Sequence, residues 1–183
     1  MPVRRVLQVQ GMLLQIGRRQ HEPELVELLT ECHTRIRGFL DLAHRLATTP
    51  GLQPDDITGA AGQVHRYFTT AFPLHMADED ELLLPRLRGR EAALDAALDR
   101  MEADHEEHAD LVERLVALCD ELMRDPRRLA ARARLLGETV DELTLGLEAH
   151  LSLEELVIFP RLDRLSAVER AAIRREMRAR RSA

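Results

Sequence analysis

The sequence contains few aromatic residues. Tryptophan is absent, and one tyrosine with four phenylalanines brings the aromatic fraction to only 3% of 183 residues. Apolar residues still make up 45% of the chain, mostly as leucine and alanine, so a sizeable core can form. This composition argues against a β-rich fold and favours a helical one, and the length predicts one domain with short appendages.

Lysine is also absent, so all 26 basic residues are arginines, which we interpret as a compositional bias of the genome rather than as a phosphate-binding site. Acidic and basic residues are interleaved along the chain, and the net charge is -6. This pattern predicts no nucleic-acid partner, although residues 174–181 are locally basic.

The chain has two cysteines and no long uninterrupted apolar run. Cys32 and Cys119 form no disulfide framework, which is typical of a protein in the reducing cytoplasm. The apolar residues near the start are interrupted by Gln8, Gln10 and Gln15. We therefore expect a cytoplasmic protein without a signal peptide, a membrane span or a membrane partner.

Proline and glycine breakers divide most of the chain into four long segments with helical apolar spacing. The predicted helices run from Pro23 to about 47, from a cap at Asp55 or Asp56 to about 84, from about 91 to 123 and from about 127 to 159. Pro85 and Pro160 are predicted to end the second and the fourth helix. Short connections between long helices are typical of an all-α, antiparallel up-down-up-down four-helix bundle.

Shorter segments flank the bundle, which we place at residues 21–165. Residues 1–20 form an extension for which the sequence predicts no structure. Residues 166–183 are predicted to contain a short C-terminal helix, because Ser166 and Glu169 have the spacing of a capping box.

An internal repeat connects the ends of the second and fourth helices. The stretch HMADEDELLLPRL at 75–87 aligns without a gap with HLSLEELVIFPRL at 150–162. Both copies keep a histidine, a glutamate four residues later and a proline ten residues later. The first and third helices each carry a central histidine, His33 and His105, so the two helix pairs resemble two copies of one hairpin.

The histidines of the four helices lie at one level of the predicted bundle. His33 and His105 follow the starts of their helices, and His75 and His150 precede the ends of theirs, by ten to fourteen residues. In an antiparallel arrangement this is a common depth of roughly 15 to 20 Å from one end. Helical spacing also places Glu79 on the face of His75, and Glu154 on the face of His150.

Four imidazoles and two carboxylates in one buried layer predict a metal site with two ions. Buried carboxylates without partners are very unfavourable, whereas metal binding satisfies them. Two glutamates that bridge, with two histidines for each ion, make a dinuclear site in a bundle core. Imidazole and carboxylate ligands suit iron or manganese, with zinc as a further alternative. The competing interpretation is an exposed polar stripe, against which the repeat and the flanking leucines argue.

The motifs resemble those of the hemerythrin-like, HHE cation-binding family. They are carried by the sequences ECHTRIRGFL, VHRYFTTAFPLHMADEDELLLPRL, MEADHEEHADL and LEAHLSLEELVIFP. The similarity covers about residues 22–165. It implies a non-haem diiron centre with an oxo or hydroxo bridge, in which Glu79 and Glu154 bridge the irons. The terminal ligands would be His33, His75, His105 and His150.

The sequence departs from the oxygen carriers of this family in the third and fourth helices. The carriers have HxxxH in the third helix, and an aspartate five residues after the histidine of the fourth. Here His105 and His108 are three residues apart, and the fourth helix has HxxxE. The departures resemble variants with four histidines and two glutamates, which are associated with iron sensing, peroxide breakdown or nitric oxide chemistry.

Some nearby residues allow more than one interpretation. His108 is an additional metal ligand, an orienting group next to the ligands or a solvated residue. Tyr67, Phe68 and Phe72 either close a pocket over the metals or belong to the ordinary core. Asp78, Asp80 and Glu81 are either solvated or orient the ligands.

The function we expect is the binding of dioxygen, nitric oxide or peroxide, or the handling of iron. The alternatives are a diiron enzyme that breaks down peroxide or oxidises a small substrate, and a regulatory module that signals to a partner. The oligomeric state is left open, with a dimer as one alternative.

Overall fold

The computed structural model describes residues 24–182 of the chain, and every regular element in this range is helical, which confirms the predicted all-α class. The α-helices are α1 (Leu25–Thr48), α2 (Pro54–Arg66), α3 (Phe72–Asp78), α4 (Leu84–Leu87), α5 (Ala92–Arg124), α6 (Leu129–Leu153) and α7 (Ala167–Arg180). The predicted helix start at Pro23 and the extension at 1–20 lie outside the described residues.

Two of the predicted helices continue past the prolines that were expected to end them. The π-helical segments Tyr67–Ala71 and Glu79–Leu83 join α2, α3 and α4 without a break, so this helix runs through Pro85. In the same way α6 continues through the π-helical segment Glu154–Ile158 and the 3-10 helix Phe159–Arg164. The predicted ends at Pro85 and Pro160 are therefore wrong.

The π-helical turns explain how the prolines are accommodated. Proline lacks an amide hydrogen, and its ring clashes with the carbonyl four residues earlier in an ordinary α-helix. Immediately before Pro85, the amide of Leu84 donates to the carbonyl of Glu79, five residues back. Before Pro160, the amide of Phe159 donates to the carbonyl of Glu154 in the same manner. Each widened turn thus begins at a glutamate that the sequence identifies as a metal ligand.

Two helix starts also differ from the predictions. Gln53 is the N-cap of α2 and Pro54 its first residue, so neither Asp55 nor Asp56 caps the helix. Proline suits this first position because its fixed backbone angle is helical and its missing amide has no partner there. α6 begins at Leu129, because the side chain of Asp125 caps a separate 3-10 turn, Pro126–Arg128. The predicted capping box of Ser166 and Glu169 in α7 is confirmed.

The long helices pack around a core divided into two apolar clusters. α1 contacts α2 and α6, and α5 contacts α2 and α6. Along α1, Leu29 belongs to one cluster and Ile36 to the other, with the buried His33 between them. The other long helices repeat this order, so buried polar residues form a layer between the clusters. No helix in the range 24–182 is long and apolar enough to cross a membrane.

The C-terminal helix is part of the packed structure. Ile173 and Met177 of α7 are buried in the cluster that contains Leu29. Beyond its last turn, Arg181 forms an ion pair of 2.7 Å with Asp78, the residue before Glu79. α7 therefore supports the helix that carries one of the predicted ligands.

Candidate metal centre

The buried polar layer contains all six residues that the sequence predicts to bind metal. Their ligand atoms form two overlapping sets, and within each set these atoms lie within 4.8 Å of one another. The first set contains His33, His75, Glu79 and Glu154, and the second contains Glu79, His105, His150 and Glu154. Both glutamates belong to both sets, which is the arrangement required for two ions that share carboxylates.

Glu79 directs one carboxylate oxygen to each set. Its Oε1 lies 3.2 Å from Nε2 of His75, one helical turn earlier. Its Oε2 lies 3.4 Å from Nε2 of His105 on α5. The side chain is fully buried, so it reaches between the two helices inside the core.

Glu154 repeats this geometry in the second copy of the motif. Its Oε1 lies 3.2 Å from Nε2 of His150, one turn earlier, and its Oε2 lies 2.9 Å from Nε2 of His33 on α1. The internal sequence repeat is thus also a repeat of the site: each copy supplies a histidine and a glutamate, and each glutamate faces a histidine from another helix.

The ligand atoms are unusual because most of them are buried without a hydrogen bond. Among the described residues this applies to both oxygens of Glu79 and of Glu154, and to Nε2 of His33, His75 and His105. A fold retains buried polar atoms without partners only where another group satisfies them. Clustered imidazole and carboxylate lone pairs are the donor set of a divalent transition metal, so these residues fit a pair of such ions.

The protonation states in the metal-free protein follow from burial. Burial lowers the pKa of His75 to about 3, so its imidazole is neutral and has a free lone pair. Burial and the neighbouring Glu154 carboxylate raise the pKa of Glu79 well above its usual range. Burial also acts to raise the pKa of Glu154, but the adjacent imidazoles of His150 and His33 outweigh it, and the pKa of this carboxyl is lowered.

A second carboxylate orients His33 from the outside of the site. Nδ1 of His33 lies 2.8 Å from Oε1 of Glu155. Arg37 donates to the same oxygen over 2.8 Å, and this contact lowers the pKa of Glu155, which keeps it ionised. An ionised carboxylate only accepts hydrogen bonds, so Nδ1 carries the proton and Nε2 presents its lone pair to the site.

Two other histidines have equivalent partners. Nδ1 of His105 lies 3.0 Å from Oδ1 of Asp80, and Nδ1 of His150 lies 3.3 Å from Oδ2 of Asp104. Arg100 pairs with the second oxygen of Asp104 and so resembles Arg37 beside Glu155. Three of the four imidazoles are therefore held with the same nitrogen facing inward.

The sequence identified only part of this outer layer. Asp80 was expected to be solvated or to orient a ligand, and it contacts His105. Glu155, Asp104 and Arg37 were not singled out. The repeat contained a signal for one of them, because Glu155 occupies the position in the second copy that Asp80 occupies in the first.

His75 differs from the other three histidines. Its Nδ1 is buried and has no hydrogen-bond partner in the described part of the chain. The residue directly before the central histidine is Asp104 on α5, whereas on α1, the corresponding helix of the other hairpin, it is Cys32. Asp104 is the partner of His150, so Cys32 stands where a carboxylate partner for His75 would be expected.

The structure places His108 beside the two sets and in neither of them. Its ring centroid lies 5.9 Å from that of His150. A side chain at Gly146 on α6 would clash with the His108 ring, so this glycine provides the space for it. His108 is buried, and its Nδ1 has no hydrogen-bond partner among residues 24–182.

The outer carboxylate of His33 can be tested by substitution. We expect Glu155→Gln to weaken metal binding by about 10- to 100-fold, because His33 loses the charge that fixes its tautomer. Glu148→Gln is the matched control, since Glu148 also pairs with Arg37 but makes no contact with His33. Competition with a chromophoric chelator measures both affinities. An equal loss in the two variants would instead assign the effect to Arg37.

Four imidazoles around two shared carboxylates, buried among helices, define a helical protein with a site fit for metal ions. Residues 24–162 match the family model described as Hemerythrin HHE cation binding domain, so the chain belongs to this family. An uncharacterized protein of Haemophilus influenzae is 26% identical over 163 residues, which cover 86% of this chain and 90% of the relative. No solved structure matches the chain.

Proposed function

We propose that the chain holds two iron ions with an oxo or hydroxo bridge, and that it binds a small ligand such as dioxygen, nitric oxide or peroxide, or handles iron itself. The two overlapping ligand sets carry this proposal, because both buried glutamates face histidines of both sets. Manganese or zinc would suit the same donors. The proposal includes the antiparallel up-down-up-down bundle. One apolar cluster joins the starts of α1 and α5 with the ends of the other two long helices, and the second cluster joins the opposite ends of all four.

The residues of the chain have distinct roles in this proposal. His33, His75, His105 and His150 would hold the ions as terminal ligands, and Glu79 and Glu154 would be shared between them. Glu155, Asp80 and Asp104 hold protons on the outer nitrogens of three histidines. An iron pair held by these residues would supply redox chemistry and bind the small ligand. The two apolar clusters enclose the site from above and below the layer.

The histidine content of the third long helix, α5, bears on which small ligand the site binds. Ala109 stands four residues after His105, where the oxygen carriers that this sequence resembles have another histidine. His108 lies outside both sets. The site therefore has four histidines and two glutamates, which supports iron handling or the chemistry of peroxide and nitric oxide more than reversible oxygen storage.

An enzyme is the second candidate, and a cavity beside the site favours it. The cavity reaches His105 and His108 and is lined mostly by apolar side chains. A protein that only stores iron or dioxygen does not need such a space. Peroxide breakdown and oxidation of a small substrate both remain within this proposal.

Metal analysis combined with visible spectroscopy tests the proposed function. We expect about two iron ions per chain in protein purified from iron-supplied cells, and a charge-transfer band under air. A band that disappears on deoxygenation supports carriage, whereas oxygen evolution from added peroxide, lost in Glu79→Ala, supports the enzyme. A metal content far below two ions per chain in correctly folded protein would contradict the proposal.

A further inference from the structure

An apolar cavity of about 450 Å³ lies between α5 and the helix that contains α3, directly beside the metal-binding sets. Phe68, Phe72, Met76 and Val112 form much of its wall. A water molecule occupies about 30 Å³, so the cavity is far larger than dioxygen or peroxide requires. Its size and lining are those of a site for a small organic molecule.

Two histidines, His105 and His108, are among the residues that line the cavity. His105 belongs to the second ligand set, and His108 is 8% exposed with a buried Nδ1 that lacks a partner in the described part of the chain. A buried ring nitrogen without a hydrogen bond is unfavourable. Because the His108 ring lines the cavity, a ligand with one hydrogen-bonding group would bring a polar partner to this imidazole, and the ring would then hold that group close to His105.

The charges around the cavity select against anions. Asp80 and Glu113 are the charged residues of its lining in the described range, and no arginine is among them. Glu113 is exposed, as is the neighbouring Ala109, so both lie where the cavity opens to solvent. An anionic ligand would meet carboxylates both at this opening and beside His105.

We propose that this cavity binds a neutral organic molecule, of the size of a substituted benzene ring and with one hydroxyl-type group, with that group on His108. The molecule would lie next to the metal pair, so its role as a substrate rests on the proposed function, whereas its binding does not require the metal. Aromatic contacts with Phe68 and Phe72, and a sulfur–aromatic contact with Met76, would stabilise the ring.

Calorimetric titration with three matched probes tests the inference on the full chain. The probes are 4-methylbenzyl alcohol, 4-methylbenzoate and p-xylene. We expect the alcohol to bind saturably and at least tenfold more tightly than the benzoate. His108→Leu should weaken binding of the alcohol by about three- to tenfold, which is the value of one hydrogen bond, and leave p-xylene unchanged.

Blocking the opening provides a second test. Ala109→Trp places a large side chain at an exposed position of the lining, so it should weaken the alcohol and p-xylene by at least tenfold. Leu145→Trp is the control, since Leu145 is 77% exposed on α6 and does not line the cavity. Circular dichroism verifies folding, and Ala77→Phe replaces Ala109→Trp if the latter does not fold.

The outcome is separable from that of the proposed function when metal content is measured on the same samples. About two metal ions per chain without saturable binding of the alcohol would overturn this inference alone. Saturable binding that Ala109→Trp abolishes, in a chain that binds no metal, would overturn only the proposed metal centre. Binding of the benzoate as tight as that of the alcohol would overturn the assignment to a neutral ligand.

Discussion

Glu79→Gln is expected to change stability in opposite directions in the metal-free and the metal-loaded protein. Without metal, the Glu79 and Glu154 carboxylates share a buried layer, and their oxygens have no hydrogen-bond partner among the described residues. Glutamine keeps the shape and removes the charge. We expect a gain of about 2 kcal/mol, or roughly 5 °C in Tm, for the metal-free variant. With metal, loss of the bridging charge should lower Tm by roughly 10 °C or more.

The direction of the stability change in metal-free Glu79→Gln follows from how the free energy of unfolding depends on pH. The pKa of Glu79 in the folded chain is raised above the ordinary 4.5, so its ionisation opposes folding. The penalty is absent below about pH 4.5 and grows as the pH rises toward the folded-state pKa. The stabilisation by Glu79→Gln should therefore be present at neutral pH and disappear in acid.

Differential scanning calorimetry with and without metal measures both effects. Glu106→Gln is the control, because Glu106 is exposed on α5 and its neutralisation should change Tm little in either form. A variant that is less stable than the wild type in the metal-free form as well would mean that the Glu79 carboxylate stabilises the empty fold. Its role would then be structural, independent of metal.

The six ligand-type residues could be predicted because their positions are fixed by local rules. The spacing from His75 to Glu79, and from His150 to Glu154, is one helical turn, and a turn brings such residues together wherever the helix lies. To predict that His33 and His105 lie at the level of the other two histidines, only the helix lengths and the antiparallel connections were needed. These quantities are read directly from apolar spacing and from breakers.

The parts that could not be predicted depend on contacts between helices or on local exceptions. Glu155 is a neighbour of Glu154 in the sequence, but its partner is His33, 122 residues away, and only the rotation of α1 against α6 decides this contact. The predicted helix ends at Pro85 and Pro160 were wrong because the prediction applied the general rule that proline ends a helix. Here a widened π-helical turn before each proline accommodates its ring, and amino-acid composition does not predict such turns.

A single carboxylate shared by both sets should be more important for metal content than a histidine of one set. We expect Glu154→Ala to lose nearly all metal, because the residue faces His33 through one oxygen and His150 through the other. His33→Ala and His105→Ala should each retain about one ion per chain. His44→Ala is the control and should retain two, since His44 is exposed and pairs with Asp141 away from the layer.

Metal quantification by mass spectrometry, after dialysis against a weak chelator, gives these stoichiometries directly. Each histidine variant leaves the other set with its own two histidines and both glutamates, whereas Glu154→Ala leaves neither set complete. If Glu154→Ala kept one tightly bound ion, Glu79 with one pair of histidines would suffice for that position. The two sets would then act as separate sites and not as one centre. Complete loss in Glu154→Ala, with half retention in both histidine variants, requires the carboxylate to serve two ions at once.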